Sequence, residues 1–113
     1  MKLTSFTIFV QDVKKAATFY EDLFGRPPKE RGNNSCTFLF DSVKYFIHKK
    51  STWEEGVPPN EDHVEFEVDN LDEEIERLKT AGLVLKVEAK KYYWGTSAYL
   101  RDLDGRLIEL VQK

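Results

Sequence analysis

Of the 113 residues, two are histidines, His48 and His63, and one is a cysteine, Cys36. A single cysteine can form neither an intrachain disulfide nor a thiolate zinc cluster, and its residue type suits a small place in an apolar core. The denser signal surrounds His63. The segment His63-Val64-Glu65-Phe66-Glu67-Val68 alternates strictly, and the two-residue period of a strand puts His63, Glu65 and Glu67 on one face. Glu109 stands among aliphatic neighbours in Leu107-Ile108-Glu109-Leu110-Val111, and Arg101 closes the run Ser97-Ala98-Tyr99-Leu100-Arg101. An imidazole, carboxylates and a guanidinium on strand faces are too polar for a dry core, so they are expected to line a cavity open to water or ligand. If Glu65, Glu67 and Glu109 stay uncompensated, that cavity favours a cationic ligand. Arg101 either offsets one of them or grips an anionic substrate.

The elements that must position these groups repeat. Residues 3–10 alternate as a strand, with Phe6, Ile8 and Val10 on one face and Ser5, Thr7 and Phe9 on the other. Asp12 is an N-cap for a helix whose stripe is Val13, Ala16, Ala17, Tyr20, Leu23 and Phe24. Gly25 ends it, and Pro27-Pro28 prevents its continuation. Strands are predicted near 29–31, 36–40 and 43–49, then a Gly- and Pro-bearing connector. The second half follows the same order. A strand opens at His63, and Asn70 with Glu73 forms a capping-box-like start to a helix striped by Leu71, Ile75 and Leu78. Gly82 closes that helix, and strands are predicted near 84–89, 97–101 and 107–111, with Asp104-Gly105 as a hairpin turn.

Register supports a true internal repeat. Ser5 and His63, Val10 and Val68, and Asp12 and Asn70 are each 58 positions apart. Asp41 and Asp104 are 63 apart, and the same offset sets Phe46 against Glu109. The expected fold class is α+β, with two βαβββ modules around a shared cavity. A single domain spans 1–113, with module one at about 1–50, a connector at about 51–61 and module two at about 62–113.

Composition narrows the function classes. The net charge of −3 comes from interleaved signs, and Lys and Arg do not gather with aromatics into a nucleic-acid face. No apolar run approaches the roughly 20 residues that span a bilayer, and the N-terminus lacks a signal-peptide pattern. The expectation is a cytoplasmic protein without nucleic-acid or membrane partners.

The stretches Phe6-Thr7-Ile8-Phe9-Val10-Gln11-Asp12 and Phe19-Tyr20-Glu21-Asp22-Leu23-Phe24-Gly25 resemble the opening of the vicinal oxygen chelate superfamily. So do residues 62–68 and the closing Asp102-Leu103-Asp104-Gly105-Arg106-Leu107-Ile108-Glu109-Leu110. That superfamily includes glyoxalases, extradiol dioxygenases, fosfomycin-resistance transferases and bleomycin-resistance proteins, so the resemblance is specific for fold and not for chemistry. It implies two βαβββ modules forming a half-open, barrel-like sheet, homodimers, a small organic ligand and, in metal-dependent members, ligands from four strand positions, here Ser5, Phe46, His63 and Glu109. His63 and Glu109 keep that chemistry and suit a divalent ion such as Zn, Ni, Mn or Fe. A serine hydroxyl is a poor substitute and a phenyl ring cannot coordinate, whereas a catalytic zinc typically keeps three protein ligands. His48, on the face of Phe46, is a candidate third group. The favoured expectation is therefore a small-molecule-binding protein without a complete catalytic metal site. Its cavity is lined by Ser5, Thr7, Phe9, Phe46, His48, Glu65, Trp94, Tyr99 and Arg101. The alternative is a metal-dependent lyase, isomerase or transferase of glyoxalase type, with Glu109 or Glu65 as base. Tyr92-Tyr93-Trp94-Gly95 resembles the family's aromatic segment at the cavity mouth, and Trp53 is a candidate lid.

Overall fold

A computed structural model describes residues 1–50 and 60–113. Trp53 and most of the expected connector lie outside the described residues. The fold is α+β, and the order β-α-β-β-β occurs twice. Module one comprises β1 (Lys2–Val10), α1 (Val13–Phe24), β2 (Glu30–Arg31), β3 (Ser35–Phe40) and β4 (Val43–Lys49). Module two comprises β5 (His63–Glu67), α2 (Leu71–Thr80), β6 (Leu85–Tyr92), β7 (Gly95–Arg101) and β8 (Leu107–Gln112). By compactness the chain divides into Ser5–Asp62 and a unit of His63–Lys113 with Met1–Thr4, so the first residues of β1 go with module two. Among the described residues no helix is long and apolar enough to cross a membrane.

Module one orders its strands β2-β3-β4-β1, with β1 parallel to β4 and the others antiparallel. Module two orders them β6-β7-β8-β5, with β5 parallel to β8. In each module the helix bridges the strand that precedes it and the strands that follow, and its apolar stripe covers one face. Under α1 the core is Val13, Ala17, Cys36, Phe38 and Ile47, so Cys36 is a packing residue, and burial pushes its thiol pKa up. Under α2 it is Val68, Leu71, Ile75, Leu78, Ala98, Leu100 and Leu110.

Both helices start where a side-chain acceptor meets the orphan amides of the first turn. Asp12 accepts from the Lys15 N–H and Asn70 from the Glu73 N–H, each at 3.1 Å. α1 ends at Gly25, which holds φ 69° at its C-cap. α2 ends at Ala81, and Gly82 at φ 89° lets the Leu83 N–H reach the Leu78 carbonyl at 3.0 Å. β6 runs three residues further than the sequence predicts. Its charged end, through Lys90 and Lys91, is exposed and interrupted by register shifts, so it shows no alternation to read.

Candidate functional site

Strand register builds one row of side chains in module two. Glu65 on β5 pairs with Glu109 on β8, which pairs with Tyr99 on β7. His63, Glu67, Ser97 and Arg101 share that face by parity. The opposite face carries Phe66, Ala98, Leu100, Ile108 and Leu110 against α2. The centre of the polar face is closed to solvent, since Ser97, Tyr99, Leu107, Glu109 and Val111 are all buried.

Glu109 is the hub. Its Oε1 lies 3.0 Å from His63 Nε2, and the two side chains are only 6% and 5% exposed. Its Oε2 accepts from Ser97 Oγ at 2.6 Å, and Ser97 Oγ in turn accepts from Trp94 Nε1 at 2.9 Å. The Tyr99 hydroxyl also hydrogen-bonds to the carboxylate. Burial pushes the Glu109 pKa up, but the hydrogen bonds from His63 and Ser97 and the charge of His63 outweigh it, and the net shift is downward. Burial, followed by the Glu109 charge, pushes the Tyr99 hydroxyl far up, so it stays a donor. The His63 ring meets the Tyr99 ring edge to face, with centroids 5.8 Å apart.

The aromatic segment forms the turn between β6 and β7. Tyr92 and Trp94 stack with centroids 4.4 Å apart and planes at 3°, while Tyr93 points outward and is exposed. The Tyr92 hydroxyl is buried without a hydrogen-bond partner among the described residues, and burial and the nearby Glu109 push its pKa up. Glu65 accepts from Thr4 Oγ1 at 2.7 Å through Oε2. Arg101 sits at the exposed end of β7, where Nη1 donates to the Gly105 carbonyl at 2.9 Å.

The equivalent face of module one is different. Thr7 pairs with Phe46, which pairs with Thr37. Ser5 and Thr7 are buried. Phe9 pairs with His48, whose ring contacts Phe9 and Phe46 and whose Nδ1 lies 2.7 Å from the Lys49 carbonyl. His48 is thus engaged at the end of β4 among aromatic rings.

The divalent ion implied by the family resemblance does not fit the donor set. Among the described residues no group of three or more His, Cys, Asp or Glu side chains is placed to hold a metal ion. A carboxylate offers about four lone-pair sites, and on Glu109 His63 and Ser97 engage one oxygen each. An ion at Glu109 would have to displace bonds that the protein already makes.

One residue of the cluster, Ser97, escaped the sequence reading. Ser97 follows from parity with Tyr99 and Arg101, so its face was readable. The Tyr92–Trp94 stack needs the geometry of a turn that the sequence does not disclose.

The comparisons agree with this architecture. The model of the glyoxalase/bleomycin resistance protein/dioxygenase superfamily matches residues 2–110. The fosfomycin resistance protein FosX of Listeria innocua is 31% identical over 96% of this chain and 86% of its own length. That of Listeria monocytogenes is 30% identical over the same shares. The structure of methylmalonyl-CoA epimerase from Mycobacterium tuberculosis superposes with a TM-score of 0.72 at 20% identity, covering 98% of this chain and 87% of that one. At that identity the likeness shows the fold alone.

Proposed function

This chain belongs to the glyoxalase/bleomycin resistance protein/dioxygenase superfamily, and within it we propose that the chain binds a small organic molecule and holds no resident catalytic metal. The observation that carries this reading is the state of Glu109. In a metal centre such a carboxylate keeps lone pairs for the ion, whereas here protein donors hold both oxygens. A satisfied anion in a dry setting is a stable fixture that orients its donors. The ligand meets the outward edge of that fixture, where Glu65, Glu67 and the Tyr92–Trp94 stack are partly exposed. The stacked pair gives a flat apolar surface for a planar group, and the carboxylates set a preference for a neutral or cationic one.

A second reading is an enzyme related in activity to the fosfomycin resistance proteins, favoured by the 31% identity over 96% of the chain. It requires His63 and Glu109 to exchange their mutual hydrogen bond for a shared ion. One experiment separates the two. The chelator-treated protein is titrated with bleomycin and with fosfomycin by calorimetry, and fosfomycin is then incubated with the protein and Mn²⁺ while its consumption is followed. The binding reading expects saturable uptake of a probe without metal, and fosfomycin recovered unchanged. Metal-dependent consumption of fosfomycin that disappears in His63→Ala overturns it.

A further inference from the structure

The turn that carries the aromatic pair is tied to the start of α2 through one residue of β8. Gln112 lies on the helix side of β8, by parity with Ile108 and Leu110. Its Oε1 accepts the Leu71 N–H at 2.8 Å. That amide is one of the orphan donors of a first helical turn, and Leu71 is buried in the core under α2.

The Gln112 backbone meets the turn itself. Tyr92 pairs with Gly95 across the two residues Tyr93 and Trp94, and the next residue, Thr96, pairs with Gln112. A Cβ on Gly95 would lie 2.5 Å from the Gln112 carbonyl oxygen and 3.2 Å from Lys113 Cα. Gly95 also holds φ 141°, which residues with a side chain rarely adopt. At Gly25, Gly82 and Gly105 a Cβ would meet open space, so backbone angle alone selects glycine there. Gly95 is in addition pressed against the end of β8.

We infer that Gly95 and Gln112 are positioning residues for the Tyr92–Trp94 pair, an inference that rests on the reading above in which that pair meets a planar ligand. The start of α2 fixes Gln112, the Gln112 carbonyl fixes Gly95, and Gly95 sets the direction in which Trp94 leaves the turn. Gln112 is the last residue of β8, and the ends of elements open most easily. The bond to a buried helix start holds that end closed. The indole is then held from its other side as well. Trp94 Nε1 donates to Ser97 Oγ at 2.9 Å, Ser97 Oγ donates to Glu109 Oε2 at 2.6 Å, and the Tyr92 ring lies against the indole with planes at 3°. A ring pair fixed by backbone on one side and by Ser97 on the other is preorganised, which lowers the ordering cost of binding.

The test reads hydrogen exchange of the Trp94 indole N–H in ¹H–¹⁵N spectra of the whole chain. The chain has two tryptophans, and the indole resonance that remains in Trp53→Phe is that of Trp94. Gln112→Ala removes the Leu71 bond and keeps the Gln112 carbonyl. It is expected to speed exchange about fivefold, the factor that loss of one ordinary hydrogen bond sets on local opening. Asp12→Ala is the control, because it removes one cap bond from α1 in the other module and is expected to leave the exchange unchanged. Gly95→Ala is expected to displace the Trp94 resonance and to speed its exchange further than Gln112→Ala does. If Gly95→Ala does not fold, the comparison of Gln112→Ala with Asp12→Ala decides alone. An exchange rate that Gln112→Ala leaves unchanged, or that Asp12→Ala raises equally, overturns the inference. A parallel calorimetric titration with bleomycin addresses the ligand reading: absence of binding to the native chain contradicts that reading, while indole exchange still decides the positioning roles.

Discussion

The same row of three strand positions occurs in both modules with opposite contents. In module one it is Thr7, Phe46 and Thr37, and in module two it is Glu65, Glu109 and Tyr99. The backbone pairing is shared, so topology does not decide which row does chemistry. The module-one row is neutral and needs only contact. The module-two row buries a carboxylate and has to surround it with donors, which recruits His63, Ser97 and Tyr99. A repeat thus supplies two equivalent seats, and side-chain charge determines which seat organises its neighbours.

The contrast can be broken most severely at its centre. Glu109→Ala leaves several buried donors facing a void and is expected to cost about 3–5 kcal/mol, measured by denaturant unfolding. The equivalent truncation Phe46→Ala removes contact without stranding a charge and is expected to cost about 1–3 kcal/mol. Equal losses at the two positions would mean that the hub is ordinary packing.

Acid should sharpen the same contrast. The folded-state pKa of Glu109 is depressed below its unfolded value. Its stabilisation is therefore complete above the unfolded pKa and is lost as pH falls through the lower folded one. The melting temperature of the native chain is expected to fall on acidification below the ordinary glutamate value of 4.5. Glu109→Gln, which cannot titrate, should narrow its gap to the native chain across that window. A gap that widens on acidification would contradict the assigned shift.

The two helix starts test where the modules are alike. Asp12→Ala and Asn70→Ala each remove one cap bond of 3.1 Å, and each is expected to cost about 1 kcal/mol by thermal unfolding. The Asp12 charge adds a salt-dependent part, since α1 has no acidic residue in its first turn while α2 has Asp72, Glu73 and Glu74. The smallest effect is expected at Tyr92→Phe. It deletes a buried hydroxyl that has no partner among the described residues, so stability should stay level or rise by up to about 1 kcal/mol.

The fold was legible because its signals are local. Alternation marks β1 and β5, Asp12 and Asn70 announce the helices, and Gly25 and Gly82 end them. Parity then sorted the faces, placing His63 and Glu109 on the polar side, and residue type alone put Cys36 in the core. The site was legible only as a set of positions. That Glu109 is held by its neighbours depends on distances among three strands and a turn. The roles expected of Arg101 and the aromatic segment depended on side-chain direction at strand ends, where periodicity gives no information. The exposure of Phe6 left no trace in the pattern, because Phe6 reads as a core residue and only the structure shows it uncovered.

The most direct test is the metal content of the native protein, read by elemental mass spectrometry beside its melting temperature with added Mn²⁺, Zn²⁺ and Ni²⁺. An ion that binds the folded chain raises that temperature by mass action. A Glu109 carboxylate held by His63, Ser97 and Tyr99 predicts substoichiometric metal and no upward shift. One divalent ion per chain, lost in His63→Ala together with a metal-induced rise in melting temperature, would contradict it.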